Sequence, residues 1–274
     1  REPGAPTVIS TFAGCGGSSL GYSMAGYHEL LAVEWDDNAV ATFKLNFPEV
    51  PVYHGDIAKL SVQECMDLAG LSGPRELDVL DGSPPCQGFS TAGKRNLDDD
   101  RNQLFREYVR LLRGLQPKVF VMENVSGMVK GKMKLVFAEA MRELKASGYR
   151  VSCRLLNAMY FHVPQSRQRL IFIGVREDLG IEPSHPRAEG APVAFANMHN
   201  AAESDWLTEA EVTAIQRHAQ EQAQKGNSFR YQVIQDGQPA PTFSKTLIRK
   251  GSAALVLVND GGRLRLPSEE EHQV

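Results

Sequence analysis

The chain has 274 residues, 42% of them hydrophobic and 23% charged, the balance of a globular protein able to bury a full core. It holds no apolar run of about 18 residues, and its opening REPGAP lacks the apolar stretch of an export signal. Neither a membrane span nor secretion is therefore indicated, and the cytoplasm, the nucleoid or the nucleus is the expected setting. The net charge of −3 does not mark a nucleic-acid binder, and Cys15, Cys65, Cys86 and Cys153, with no CxxC pair among them, argue against a zinc site or a disulfide framework.

Short β-branched runs alternate with helical patterns from Thr7 to about Gly174. The expected strands are Thr7 to Phe12, Leu30 to Glu34, Val52 to Tyr53, Asp78 to Asp81, Val119 to Met122, Arg150 to Leu156 and Leu170 to Val175. Between them Asn38 to Phe47, Gln103 to Leu115 and Lys132 to Ser147 carry apolar residues at helical spacing, with Gly148 placed to close the last of these. This alternation predicts an α/β fold with a doubly wound, mostly parallel sheet. After Arg176 the pattern breaks into proline-, histidine- and alanine-rich sequence with one expected helix, opened by the capping box Thr208 to Glu211. Residues 1–176 thus read as one domain, and 177–262 as a second, smaller and less regular region.

The first expected strand runs into Phe12-Ala13-Gly14-Cys15-Gly16-Gly17, where glycines permit a tight turn and let backbone N–H groups approach a ligand. In a doubly wound sheet, ligands bind beyond the carboxyl ends of the strands. Glu34 ends the second strand about 20 residues after this turn, the position from which a carboxylate accepts hydrogen bonds from ribose hydroxyls. Trp35 beside it offers an aromatic face. Asp56 and Ile57 follow the third strand and supply an acceptor for an adenine amino group and an apolar wall. Either carboxylate alone also fits a solvated strand end; together they outline a nucleoside pocket. After the fourth strand comes Asp81-Gly82-Ser83-Pro84-Pro85-Cys86-Gln87-Gly88-Phe89-Ser90, whose two prolines stiffen the approach to Cys86 and aim its thiol toward that pocket. Cys65 and Cys153 fit small buried hydrophobes instead.

At these residues the chain resembles the DNA cytosine-5 methyltransferase family, in which a Pro-Cys dipeptide carries the nucleophile and an FxGxGG turn holds the methyl donor. The likeness continues in the family's order through Glu123-Asn124-Val125 and Gln165-Ser166-Arg167-Gln168-Arg169, and so covers residues 7 to about 176. The resemblance implies a Rossmann-like methyltransferase fold, S-adenosyl-L-methionine as donor with S-adenosyl-L-homocysteine as product, double-stranded DNA as partner, no metal, and a setting such as restriction-modification. It places the donor on Phe12, Gly14, Cys15, Gly17, Glu34, Trp35, Asp56 and Ile57, with Gly82, Pro85 and Leu104 lining its pocket. It implies that Cys86 adds to carbon 6 of cytosine, making carbon 5 nucleophilic enough to take the methyl group. Glu123 would hold the N3 edge and be able to donate a proton there, Arg169 would contact O2 and orient Glu123, and Arg167 would contact the backbone near the target. Since a stacked cytosine cannot reach a thiol inside a protein, the base must be flipped out, at a cost of a few kcal/mol.

By the same resemblance, 177–262 is the target-recognition region. Thr242, Lys245, Thr246, Leu247 and Arg249 form its expected DNA-reading segment, with Ser90 contributing from the nucleophile loop. Residues 263–274 resemble the start of a return to the catalytic domain. The family's final Gly-Asn segment does not follow, so a C-terminal fragment or partner chain is an expected contributor. Two other readings stay open: a tRNA cytosine-5 methyltransferase on the same scaffold, and a DNA-binding subunit that needs a partner. A nicotinamide oxidoreductase fits less well, because the glycine turn lacks GxGxxG spacing.

Overall fold

A computed structural model describes residues 4–85, 103–129, 131, 133–192, 206–225, 230–235, 238–241, 254–260 and 263–265. The chain divides into two compact units, 1–156 with 169–186, and 157–168 with 187–274.

The first unit is built from β1 (Thr7–Thr11), α1 (Gly17–Met24), β2 (His28–Glu34), α2 (Asp37–Asn46), β3 (Val52–His54), α3 (Val62–Ala69), β4 (Val79–Gly82), α4 (Gln103–Leu115), β5 (Val119–Val125), α5 (Met133–Lys145) and β6 (Tyr149–Asn157). After the two-residue β7 (Gln165–Ser166) of the other unit comes β8 (Gln168–Arg176). The sheet order is β3-β2-β1-β4-β5-β8-β6. The ladders β3-β2, β2-β1, β1-β4 and β4-β5 are parallel, and β8 runs antiparallel to β5. The chain winds outward from β1 in one direction through β2 and β3, then returns to lay β4 and β5 on the other side. That is the doubly wound, mostly parallel arrangement expected from the sequence, with its reversal beside β1.

Local chemistry sets the boundaries. Asp36 caps α2 by accepting a bond from the Ala39 N–H at 2.9 Å, which fixes the start at Asp37. The sequence pattern did not predict α3. It is capped by Ser61, whose hydroxyl accepts from the Glu64 N–H, and ends at Gly70 in the left-handed conformation. On one face of the sheet Ile9, Leu31, Leu80, Phe120 and Phe172 are fully buried and join Tyr108, Leu111 and Leu112 of α4 in one core.

The second unit contains β7, α6 (Glu209–Gln224), β9 (Arg230–Ile234), β10 (Ala240–Pro241), β11 (Ala254–Asp260) and β12 (Arg263–Arg265). The expected capping box is formed: the Thr208 hydroxyl accepts from the Glu211 N–H, and the Glu211 carboxylate accepts from the Thr208 N–H. This stretch is more regular than its composition suggested. β9, β11 and β12 form a three-stranded sheet, and β10 pairs with β7. Leu207 and Leu257 pack against Val212 and Ile215 of α6.

Gly174 of β8 lies against the Phe120 ring, and a Cβ at that position would collide with it. The ring is held on its other sides by Tyr108 and Tyr149, with centroids at 6.4 and 5.2 Å. Gly174→Ala is therefore expected to destabilise the protein by about 1–3 kcal/mol through overpacking. Urea denaturation monitored by circular dichroism measures this, and an unchanged midpoint would mean that the Phe120 side chain yields freely.

Candidate active site

The carboxyl ends of β1, β2, β3 and β4 surround a cavity of about 460 Å³ lined by Phe12, Val33, Glu34, Trp35, Gly55, Asp56, Ile57, Pro85 and Leu104. All these residues belong to the first unit. The sequence expectation brought seven of them to this pocket, and the cavity contains them together with Val33 and Gly55.

The turn leaving β1 is sharp. Phe12 and Gly14 both adopt φ of 57°, and Gly16 adopts 96° as the residue before α1. A Cβ on Gly16 would strike the Phe47 ring, so both the backbone angle and the close approach require glycine. Gly17 starts α1, whose amino end has no side-chain cap and no acidic residue in its first turn. Its N–H groups are thus not satisfied by a capping side chain. Cys15 is exposed in the same turn.

Glu34 is 8% exposed, and its carboxylate is already engaged by the backbone. Oε2 accepts from the Gly14 N–H at 2.7 Å, and Oε1 accepts from the Trp35 and Asp36 N–H groups at 2.8 and 3.0 Å. Of roughly four acceptor positions on a carboxylate, three are used, which leaves one on Oε2 for a ligand hydroxyl. Glu34 therefore shapes the glycine turn as well as facing the cavity. Asp56 similarly spends Oδ1 on the Ala58 N–H at 3.0 Å, capping the 3-10 turn Ile57–Lys59. Trp35 is 75% exposed and Ile57 only 4%, an open aromatic face opposite a closed apolar wall.

β4 delivers the chain to the next loop. Thr11 Oγ1 donates to the Asp81 carbonyl at 2.9 Å, and a Cβ on Gly82 would strike Thr11 and Tyr108. Gly82 thus lets strands and helix meet closely and does not line the cavity itself. Pro84 is fixed from the neighbouring strand: the Asn124 amide, 4% exposed, donates to the Pro84 carbonyl at 3.2 Å. Sequence reasoning quoted Asn124 without giving it this task. Its neighbour Glu123 forms an ion pair with Arg169, Nε to Oε1 2.6 Å, their side chains 34% and 23% exposed respectively. The antiparallel register sets Val125 opposite Arg169 and Glu123 opposite Ile171, so the pair spans the ladder diagonally on one face. Arg167 lies in the second unit, where its backbone carbonyl accepts from the Ala158 N–H.

Cys86, Ser90, Thr242, Lys245, Thr246, Leu247 and Arg249 lie outside the described residues. Among the described residues no group of three His, Cys, Asp or Glu side chains is placed to hold a metal ion, and no helix is long and apolar enough to cross a membrane.

Asp81 was not among the expected functional residues, yet it is buried at the end of the central strand β4. Desolvation lifts its carboxyl to about 7, against the opposing hydrogen bonds from Tyr22 and Ser18, and the Glu29 and Glu123 carboxylates push it the same way as burial. A sequence signal existed: an acidic residue inside the otherwise apolar run Val79-Leu80 that leads into the proline loop.

A Rossmann-like methyltransferase fold whose cavity opens at the sheet's reversal, with an acid-arginine pair at the next strand, defines the class. Comparison with known proteins gives the family: residues 6–254 match C-5 cytosine-specific DNA methylase, and the chain belongs to that family. It is 43% identical over 185 residues to the Type II methyltransferase M1.HphI of Haemophilus parahaemolyticus, covering 65% of this chain and 49% of that one. It is 42% identical over 187 residues to M.XorII of Xanthomonas oryzae pv. oryzae, covering 68% and 44%. The chain thus spans about half the length of these curated relatives. Among solved structures, a mutant of Spodoptera frugiperda DNMT2 superposes with a TM-score of 0.68 at 21% identity, covering 93% of this chain and 75% of that one. The S. pombe Dnmt2 methyltransferase gives 0.65 at 16%, covering 95% and 82%. These two establish likeness of fold.

The raised carboxyl of Asp81 has a consequence for stability. The folded state holds its proton more tightly than the unfolded chain, so the stabilisation is complete below about pH 4 and is lost as pH rises through about 7. Asp81→Asn is expected to flatten the decline in unfolding free energy across that window, leaving the smaller decline due to Glu29, which burial also raises. Urea titrations at pH 5 and pH 8 provide the comparison. An equal decline in both proteins would mean that Asp81 titrates normally.

Proposed function

We propose that this protein transfers a methyl group from S-adenosyl-L-methionine to carbon 5 of a flipped-out cytosine in double-stranded DNA, through a covalent bond to Cys86. The observation that carries this reading is the Glu123–Arg169 pair, which joins β5 to β8 next to Asn124 of β5, whose amide holds the Pro84 carbonyl two residues before Cys86. Family membership and the Type II methyltransferase relatives support it.

The donor cavity suits an adenosyl group. Trp35 and Ile57 offer faces for a purine, the free oxygen of Asp56 accepts from its amino group, and Glu34 keeps one acceptor for a ribose hydroxyl. When bound, the donor supplies an electrophilic methyl on a positively charged sulfur. Cys86, as thiolate, adds to carbon 6 of the cytosine and turns carbon 5 into an enamine-like nucleophile. The Glu123 carboxyl meets the N3 edge and supplies a proton as charge develops there. Arg169 Nε fixes the Glu123 oxygen at 2.6 Å, and in this reading the arginine also contacts O2 of the base. Once carbon 5 carries the methyl group, loss of its proton expels the Cys86 thiolate and restores the aromatic ring.

Residues 1–176 serve in this scheme as the donor-binding and catalytic domain and 177–262 as the target-recognition region. Thr242, Lys245, Thr246, Leu247 and Arg249 read the DNA, with Ser90 assisting and Arg167 holding the backbone.

Cys86→Ser is expected to abolish methylation of duplex DNA while donor affinity stays near that of the wild type. Duplexes carrying 5-fluorocytosine at the target should accumulate a covalent complex with the wild type, because fluorine cannot leave as a proton does. Near-normal turnover by the variant, or no adduct under conditions that support methylation, would overturn the mechanism.

Glu34→Ala is expected to weaken donor binding roughly ten- to a hundredfold, the loss of about 1.5–3 kcal/mol for one charged hydrogen bond, while turnover at saturating donor falls less. Glu34 also holds Gly14, so Glu34→Gln, which keeps an acceptor oxygen, should recover part of the loss. Calorimetric titration with S-adenosyl-L-methionine decides it: unchanged affinity in the alanine variant would remove Glu34 from the site.

A further inference from the structure

Helix α4 bears on the donor cavity at two places. Leu104 lines the cavity directly, and Arg110, further along the helix, reaches its wall through hydrogen bonds. Arg110 Nη2 donates to the Ile57 carbonyl at 3.0 Å and to the Leu60 carbonyl at 2.7 Å, while Nε donates to Glu107 Oε2 at 2.6 Å. Ile57 and Leu60 bound the 3-10 turn Ile57–Lys59, which directly follows Asp56, and Asp56 and Ile57 both line the cavity. The turn is thus pinned twice: Asp56 Oδ1 caps its amino end by accepting from the Ala58 N–H, and the Arg110 guanidinium ties down its carbonyl side. Ile57 and Leu60 are 4% and 0% exposed, so their carbonyls need donors, and the guanidinium supplies one to each. Their side chains pack in the core. That packing fixes depth but not rotation, because apolar burial has no preferred direction, whereas bonds to a rigid planar guanidinium do. Glu107, whose side chain is 13% exposed, holds the guanidinium in turn.

Resting on the reading of that cavity as a site for S-adenosyl-L-methionine, we propose that Arg110 is the positioning residue for the purine end of the donor, holding the turn so that the free Asp56 oxygen stands where a 6-amino group arrives. Arg110 is not among the residues lining the cavity and acts through the backbone of Ile57. Asp56 is exposed, and among the described residues its carboxylate is bonded to the Ala58 N–H alone, so its aim follows the backbone of the turn. A misplacement of about 1 Å in such a contact is enough to lose most of its benefit. The consequence is selectivity. Adenosine presents an amino group at carbon 6 and inosine a carbonyl; a fixed carboxylate accepts from the first and repels the second. A loosely held one retreats from the carbonyl into solvent and discriminates less. Arg110 therefore governs how tightly the donor is bound and how sharply its base is chosen. The purine is remote from the transferred methyl group, so its contacts are the same in ground state and transition state and act on donor affinity rather than on turnover.

The test compares wild type, Arg110→Met, Arg110→Lys and Arg113→Met in duplex methylation assays and in calorimetric titration with S-adenosyl-L-homocysteine and its inosine counterpart, S-inosyl-L-homocysteine. Arg113 sits on the same helix but bonds to Ser147 and Glu143, so its variant reports the loss of a structural arginine alone. Arg110→Met should raise the donor KM roughly tenfold, the effect of about one hydrogen bond to a charged group, with kcat at saturating donor and the KM for DNA near wild type. Wild type should favour the adenosine compound at least roughly tenfold, and Arg110→Met only about twofold. Arg110→Lys, which keeps the charge beside Glu107 but lacks the planar fork, should fall between them. Arg113→Met should leave donor KM and base preference unchanged. A variant that is only less stable lowers kcat and calorimetric stoichiometry together and leaves KM alone. Equal donor KM in wild type and Arg110→Met, an undiminished preference for adenosine, or a matching rise of KM in Arg113→Met would therefore overturn the proposal. Should Arg110→Met not fold, Arg110→Lys decides: unchanged affinity or unchanged preference refutes it. Absence of S-adenosyl-L-homocysteine binding by wild type would instead remove the donor assignment, and this inference with it. Binding by wild type without preference for adenosine would leave that assignment standing and overturn the inference alone.

Discussion

At the ends of β1 and β4, Thr11 and Gly82 stand opposite each other in the parallel ladder, and their close contact sets where everything functional begins. The threonine hydroxyl reaches across to the Asp81 carbonyl, and Gly82 has no Cβ to hold the strands or Tyr108 apart. From Thr11 the chain enters the glycine turn; from Gly82 it enters the proline loop. Both segments therefore start from one rigid seam at the reversal of the sheet, which is where doubly wound proteins offer their ligand site. A larger residue at Gly82 would have to move a β-branched side chain and a buried tyrosine, neither of which has room to yield.

Glu34 extends that seam sideways. A buried carboxylate is costly unless its oxygens are satisfied, and here three backbone N–H groups do so. One consequence is that the tip of β2 and the turn after β1 are locked to each other before any ligand arrives. Another is that the remaining acceptor is preorganised, because the carboxylate cannot rotate without breaking bonds to Gly14, Trp35 and Asp36. The same economy holds for Asp56, which caps a 3-10 turn with one oxygen and leaves the other at the cavity.

Much of this was legible from the residues, and what was not follows a physical pattern. Strands buried on both faces write themselves as continuous apolar runs, so β1 and β4 stand out, and α4 spans Gln103–Leu115 as its periodicity indicates. Two turns of helix are too short to show a period, which is why α3 escaped. The second unit was read as irregular because the runs that pair in β9 and β11 are far apart along the chain, and only tertiary contact makes Ala254–Asp260 a strand beside Arg230–Ile234. Glu34 and Asp56 were found by position, yet their bonds to backbone N–H groups depend on turn geometry that no spacing encodes. Glu123 and Arg169 lie far apart in sequence and were linked through family likeness; the antiparallel ladder supplies the physical cause of their meeting.

The way α1 is anchored sets this unit apart from a generic α/β layer. A helix on a sheet ordinarily docks through an apolar stripe, and its position is then insensitive to pH and to charge. Here serine and tyrosine hydroxyls bonded to two buried carboxyl groups hold the underside of α1, while its larger apolar side chains face outward. Such an interface gains less from burial and depends more on the protonation state of its acceptors, since each ionised carboxyl in a dry environment raises the cost of the next. The glycine turn is continuous with this helix. The seating of that turn is thus tied, through Tyr22 and Asp81, to a carboxyl on the sheet face beneath the helix rather than in the cavity wall.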